Sequence, residues 1–164
     1  MKDCRLVPRV TGDISKDSNM CKLQNLCCNS KVPATNLIST FPRTILVFRQ
    51  AECDPSLLID LVRKWYNKEA YHNLKIATVR LSSNYRFPRV GNWPAGIELI
   101  RELDPKSWIP ERRPDKYYFK SEYVRLDIVP WYDCTHYLDI EQKGGGKIGS
   151  VYAAIHSFHF YVWP

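Results

Sequence analysis

The chain has 164 residues, 45% of them hydrophobic and 13% aromatic, enough to fill one core and not two. With 24 Lys and Arg against 17 Asp and Glu, the net charge of +7 favours an acidic partner such as RNA, DNA, an acidic protein face or an anionic membrane surface. No run of about 18 apolar residues offers a membrane span. The start, Met1-Lys2-Asp3-Cys4-Arg5, lacks the apolar segment of a signal peptide, so an intracellular, membrane-free chain is expected.

Residues 1–42 show no sustained period, mix Lys, Asp, Asn and Ser, and end in Val32-Pro33-Ala34 and Phe41-Pro42. They read as a flexible N-terminal arm; Met20, Leu23 and Cys27 would share a face of a short helix, which is considered there but not expected. The six cysteines are Cys4, Cys21, Cys27, Cys28, Cys53 and Cys134. Without a secretory context they are expected as thiols, and the four in the arm lack the Cys-x2-Cys spacing that zinc prefers, so no metal is expected.

The segment 44–81 carries the clearest pattern. Thr44 to Phe48 is short and apolar and reads as a strand covered on both faces. Asp54 can cap a helix with Pro55 in its first turn, and Leu58, Leu61, Val62 and Trp65 then form one apolar stripe, opposite Asp60, Arg63, Lys64 and Lys68. The helix is expected over Asp54 to Glu69, and Leu74 to Leu81 reads as a second strand.

After a turn at Ser82-Ser83-Asn84, the stretch Tyr85 to Pro94 alternates aromatic and basic residues. Arg beside aromatic rings suits single-stranded RNA or a protein hot spot, while the plainer reading packs Tyr85, Phe87 and Trp93 down and leaves the arginines in water. Ile97 to Leu103 is helix-like. Pro105, Pro110 and Pro114 then frame a loop with Glu111-Arg112-Arg113 and Lys116, a solvated run that could close beside the first loop. Tyr117 to Val129 reads as one or two strands, and Thr135 to Glu141 as another. Gly144-Gly145-Gly146 reads as a hairpin turn, since Lys143 and Lys147 beside it do not complete a phosphate loop. Ile148 to Trp163 alternates as one long strand with both faces mostly apolar, which calls for cover by the arm or by a partner.

Chemistry is thinly represented. Cys134 and His136, with Asp133 or Asp139, stand close in sequence as a cysteine hydrolase would need, but no oxyanion-forming turn accompanies them. His156 and His159 have opposite parity in one strand and would not ligate one metal. No catalytic residue, metal site or cofactor is expected, and the chain is not expected to be an enzyme.

One stretch, 57–128, resembles a known family. Leu57 to Tyr66 followed by Glu69-Ala70, Ile76-Ala77-Thr78-Val79, Tyr85-Arg86 with Gly91, and Glu122 to Ile128 are similar in kind and spacing to the Sin3-associated polypeptide of eighteen kilodaltons. That family is ubiquitin-like, with a β-grasp fold, and is shared by a histone deacetylase corepressor and an apoptosis-and-splicing complex. The chain departs from it in having no room for a second hairpin strand before the helix, in Ser121 for glycine and in Arg125 for aspartate. The resemblance implies nuclear localisation and a role in RNA processing such as mRNA splicing.

The expected fold is α+β: a mixed or antiparallel sheet with one main helix across it, β-grasp if the resemblance holds, in a domain spanning 43–164 behind the arm 1–42. The expected function is a non-catalytic adaptor subunit, making protein-protein interactions within a ribonucleoprotein or chromatin assembly. A basic nucleic-acid-binding module or a structural component of a viral or phage particle are the alternatives. Tyr85, Arg86, Phe87, Arg89, Trp93, Arg112 and Arg113 are the candidate partner-binding residues, toward other protein subunits or RNA.

Overall fold

A computed structural model describes residues 3–6, 12–40, 44–88, 98–118 and 131–164. The strands are β1 (Asp3–Leu6), β2 (Asn25–Pro33), β3 (Ile45–Glu52), β4 (Ile76–Leu81), β5 (Lys106–Ser107), β6 (Lys116–Tyr118), β7 (Trp131–Asp133), β8 (Leu138–Glu141), β9 (Ile148–Ala154) and β10 (Ser157–Val162). Helix α1 (Thr35–Ser39) joins β2 to β3 and α2 (Ser56–Tyr66) joins β3 to β4, with 3-10 turns at Asn19–Lys22 and Glu98–Leu103. Among the described residues, eight strands form one mixed sheet in the order β1-β2-β3-β4-β10-β9-β8-β5, and β6 and β7 form a separate antiparallel pair. The fold is α+β, as the composition of elements leads one to expect.

The expected strand-helix-strand unit is present. Ile45 to Phe48 are buried in β3, and the Asp54 carboxylate accepts the Ser56 N–H at 2.8 Å to cap the start of α2. Leu58, Leu61, Val62 and Trp65 are all buried, and the Trp65 ring meets Phe160 edge-on at 5.0 Å. The glycine turn between β8 and β9 closes the far end of the helix. Gly144 and Gly145 adopt φ of 74° and 83°, and the Gln142 amide and Lys143 N–H reach the carbonyls of Trp65 and Tyr66, each at 3.1 Å.

Sheet pairing extends this unit in both directions. Strands β1 to β4 run parallel, β10 enters antiparallel beside β4, and β9, β8 and β5 continue antiparallel. Helices α1 and α2 touch, so both parallel crossovers pass over one face of the sheet. That face holds the main core, with Leu26, Leu46, Phe48, Val79, Phe158 and Phe160 under α2. Cys27, Val47, Ile76, Tyr161 and Trp163 lie on the second face, covered over its lower part by Tyr117, Cys134 and Tyr137.

Several expectations are corrected. The arm is an inner strand: β2 lies between β1 and β3, with Leu26, Cys28 and Val32 buried. Its cysteines act as small apolar residues, so a stretch that reads as polar has a core face. The turn Asn19–Lys22 replaces the helix considered around Met20. The strand expected over Ile148 to Trp163 is the hairpin β9–β10, turning at Ile155-His156 and pairing Ala154 with Ser157. A two-residue turn reverses parity, so Val151 and Ala153 share the helix side with Phe158, Phe160 and Val162. That sorting resolves the apparent excess of apolar faces, and β10, flanked by β4 and β9, is not an edge that needs covering. The order is not that of a β-grasp, because β3 enters from a parallel helical crossover and not from a hairpin. Strand β8 begins at Leu138, after a turn in which Asp133 accepts the Thr135 N–H at 2.9 Å. Of the stretch Tyr117 to Val129, residues beyond 118 lie outside the described residues.

Candidate functional site

The residues singled out from the sequence do not converge. In the loop after β4, Phe87 is buried and stacks on Phe158 at 6.3 Å, its N–H donating to Ile155 O at 2.9 Å. His156 Nδ1 lies 2.9 Å from Tyr85 O, so Nδ1 carries hydrogen there. Tyr85 is half-buried and Arg86 exposed, which is the packed-loop arrangement of aromatic anchors inward and arginine outward. Arg89 and Trp93 lie outside the described residues.

Arg112 pairs with Glu141 at 2.8 Å, and Glu141 sits opposite Ile148, at the end of β9 away from the Ile155-His156 turn. Arg86 and Arg112 thus lie toward opposite ends of the sheet. Arg113 is buried with Asp139: Nη2 and Nε lie 2.8 and 2.9 Å from its Oδ1, and Nη2 also donates to Cys134 O at 2.8 Å. Ser150 Oγ donates to Asp139 at 2.7 Å and accepts from Trp163 Nε1 at 2.7 Å. Phe87 and Arg113 are therefore corrected from surface contacts to internal ones, since a buried charge this fully hydrogen-bonded clamps its loop onto β8.

At the carboxyl ends of β2 and β3 a cleft of about 160 Å³ is lined by Asp13, Ile14, Pro33, Thr35, Asn36, Glu52 and Tyr85. Small-molecule sites take roughly 300 Å³ or more. Its polar groups already serve one another, Asn36 Nδ2 donating to Ile14 O at 2.7 Å and Lys31 pairing with Glu52 at 2.6 Å.

The second face of the sheet gathers a different set. Between Phe48 and Ala51 the register of β3 against β4 slips by one residue, and a matching slip lies between Cys28 and Lys31 in β2. Such a bulge puts two successive residues on one face, here Arg49 and Gln50 opposite Arg80, with Lys31 opposite Gln50. Three adjacent strands thus set Lys31, Arg49 and Arg80 in one row, and both arginines are exposed. The row continues into Ser157 of β10. One pleat below it runs a second row, Val47, Thr78, His159 and Tyr152, paired strand to strand.

His159 lies among aromatic rings. Tyr132, Tyr137, Tyr152 and Tyr161 have centroids 5.8 to 6.1 Å from its own. Burial lowers its pKa to about 4, and Nδ1 shares a hydrogen bond with the Tyr137 hydroxyl at 2.7 Å. His159, Tyr152, Tyr132 and Thr78 remain half-buried and so reach the surface. The sequence signal for this face was parity, Val47 with Arg49 and Thr78 with Arg80; the bulge that aligns them carries no local mark.

The thiols are poorly placed for chemistry. Burial pushes Cys134 and Cys53 up to about 12, Arg113 partly offsetting this at Cys134 and Asp54 adding to it at Cys53. Among the described residues no group of three His, Cys, Asp or Glu could hold a metal ion, and no helix is long and apolar enough to cross a membrane. Comparison with protein families, with curated proteins and with solved structures finds no match to this chain.

Proposed function

We propose that the chain is a non-catalytic interaction subunit of a larger assembly, engaging an acidic partner through the second face of its sheet. The observation that carries this reading is the row Lys31, Arg49 and Arg80 from three adjacent strands, with both arginines exposed and Lys31 half-buried and paired to Glu52. A net charge of +7 attracts the same class of partner at long range. The exposed Arg86, held between two anchored neighbours at the rim, is suited to orienting that partner. The resemblance of residues 57–128 adds a setting to the proposal, a nuclear ribonucleoprotein or chromatin assembly.

Affinity capture with the tagged full chain tests the reading. Wild type should retain a stoichiometric partner, and R49E/R80E should lose it while keeping the wild-type melting temperature. Equal retention by both chains would remove the face from the interaction.

A further inference from the structure

We infer that the occupant of this face is single-stranded nucleic acid, with phosphates on the row Lys31, Arg49, Arg80 and bases against the row Thr78, His159, Tyr152. This rests on the proposed docking face and supplies its partner. Neighbouring strands lie about 4.8 Å apart, so the cation row spans about 10 Å. Residues two apart in a strand are separated by about 7 Å, which sets the ring row one such step from the cations.

The two rows distinguish the occupant. An acidic protein surface would use the cations alone, whereas a single strand can also lay the flat face of a base on the half-buried Tyr152 and His159, which otherwise pack on Tyr137 and on each other. A duplex keeps its bases stacked inside and offers no such face to a sheet. The His159 ring enters as a neutral aromatic, since burial disfavours its protonated form, with Nδ1 held 2.7 Å from the Tyr137 hydroxyl. Thr78 and Tyr161, whose hydroxyls lie 3.3 Å apart, add polar groups beside it. The Glu52 carboxylate beside the row pairs with Lys31 at 2.6 Å.

Fluorescence anisotropy of the full chain with a labelled dodecauridylate tests this, with a glutamate dodecapeptide and a duplex of the same length as competitors. Wild type should bind the single strand and prefer it to both competitors. R49Q/R80Q, changed only at exposed positions, should bind at least tenfold more weakly and show a log–log salt slope shallower by about 1.4, at about 0.7 for each phosphate no longer neutralised. Tyr152→Leu should lower affinity about fivefold or more with the salt slope unchanged, the signature of a missing stack. A variant-free arm replaces uridine by 4-thiouridine in the same oligonucleotide, and its cross-links should map to β4, β9 or β10. Wild-type binding by R49Q/R80Q, or cross-links only elsewhere, would overturn the assignment. If the glutamate peptide competes as well as the single strand and R49Q/R80Q weakens both, the occupant is an acidic protein; the inference then falls while the proposed docking face stands.

Discussion

His159 shows how one side chain couples a surface to stability. Its folded pKa is about 4 against 6.5 for the free ring, with burial as the cause. Between those values the unfolded chain binds a proton that the folded chain does not, so stability is complete above pH 6.5 and declines as pH falls toward 4. At about 1.36 kcal/mol per unit the loss is about 3 kcal/mol. Chemical denaturation of wild type and His159→Gln at pH 7 and pH 4.5 should show the variant losing less by roughly 2 kcal/mol, the part of that loss reached by pH 4.5. The same dependence in both chains would place the ring in water. Asp54 and Asp133, whose pKa values are lowered chiefly by N–H donors from Ser56 and Thr135, add acid sensitivity only below the ordinary carboxylate range and do so in both chains.

At the scale of elements, α2 and the β9–β10 hairpin define each other. A Cβ on Gly149 would lie 2.6 Å from the Phe160 ring and 2.9 Å from Trp65, so the smallest residue in β9 is what lets the indole settle. Gly149→Ala should therefore destabilise by about 1 to 3 kcal/mol through overpacking, and Trp65→Ala by about 3 to 5 kcal/mol through the cavity it leaves. Urea titration of the two single variants and the double variant should reveal non-additivity, because removing Trp65 opens space for the new methyl group. A strictly additive pair would mean that helix and hairpin are not in contact at this point. The apolar stripe of α2 was legible from spacing alone, because a helix face is set by residues within two turns of one another. Its landing site was not, since Gly149 and Phe160 come from the end of the chain.

For the whole molecule, the decisive question is the standing of residues 12–40. Strand β2 pairs with β3 from Asn25 opposite Ile45 to Pro33 opposite Glu52, and Leu26, Val32, Leu37 and Ile38 are fully buried. Deleting residues 1–42 should therefore abolish cooperative unfolding, whereas removal of a flexible arm would leave the melting transition of 43–164 intact. Circular dichroism melts of the two chains decide between these outcomes. The expectation of an arm rests on composition, and composition weighs polar residues equally wherever they point. In β2 the core-facing Leu26, Cys28 and Val32 keep one parity, but Ser30 between them is polar and Cys27 on the other face is buried too, so hydropathy does not mark it as an inner strand.

Sequence by itself determined what local spacing can carry: the strand 45–48, the capped helix with its one apolar stripe, the strand into Leu81, the glycine turn at 144–146 and the excess of positive charge. Each of these follows from residues that meet within a few positions of one another. The tertiary structure alone decided which strands lie side by side, that Ile155-His156 reverses the chain and sorts the two faces of the last hairpin, and that Phe87 and Arg113 turn inward. It also decided that Lys31, Arg49 and Arg80, up to 49 positions apart in a 164-residue chain, stand in one row. The physical reason is that sheet pairing and bulge position depend on the summed burial of both faces across distant strands, a quantity that no single stretch of sequence contains.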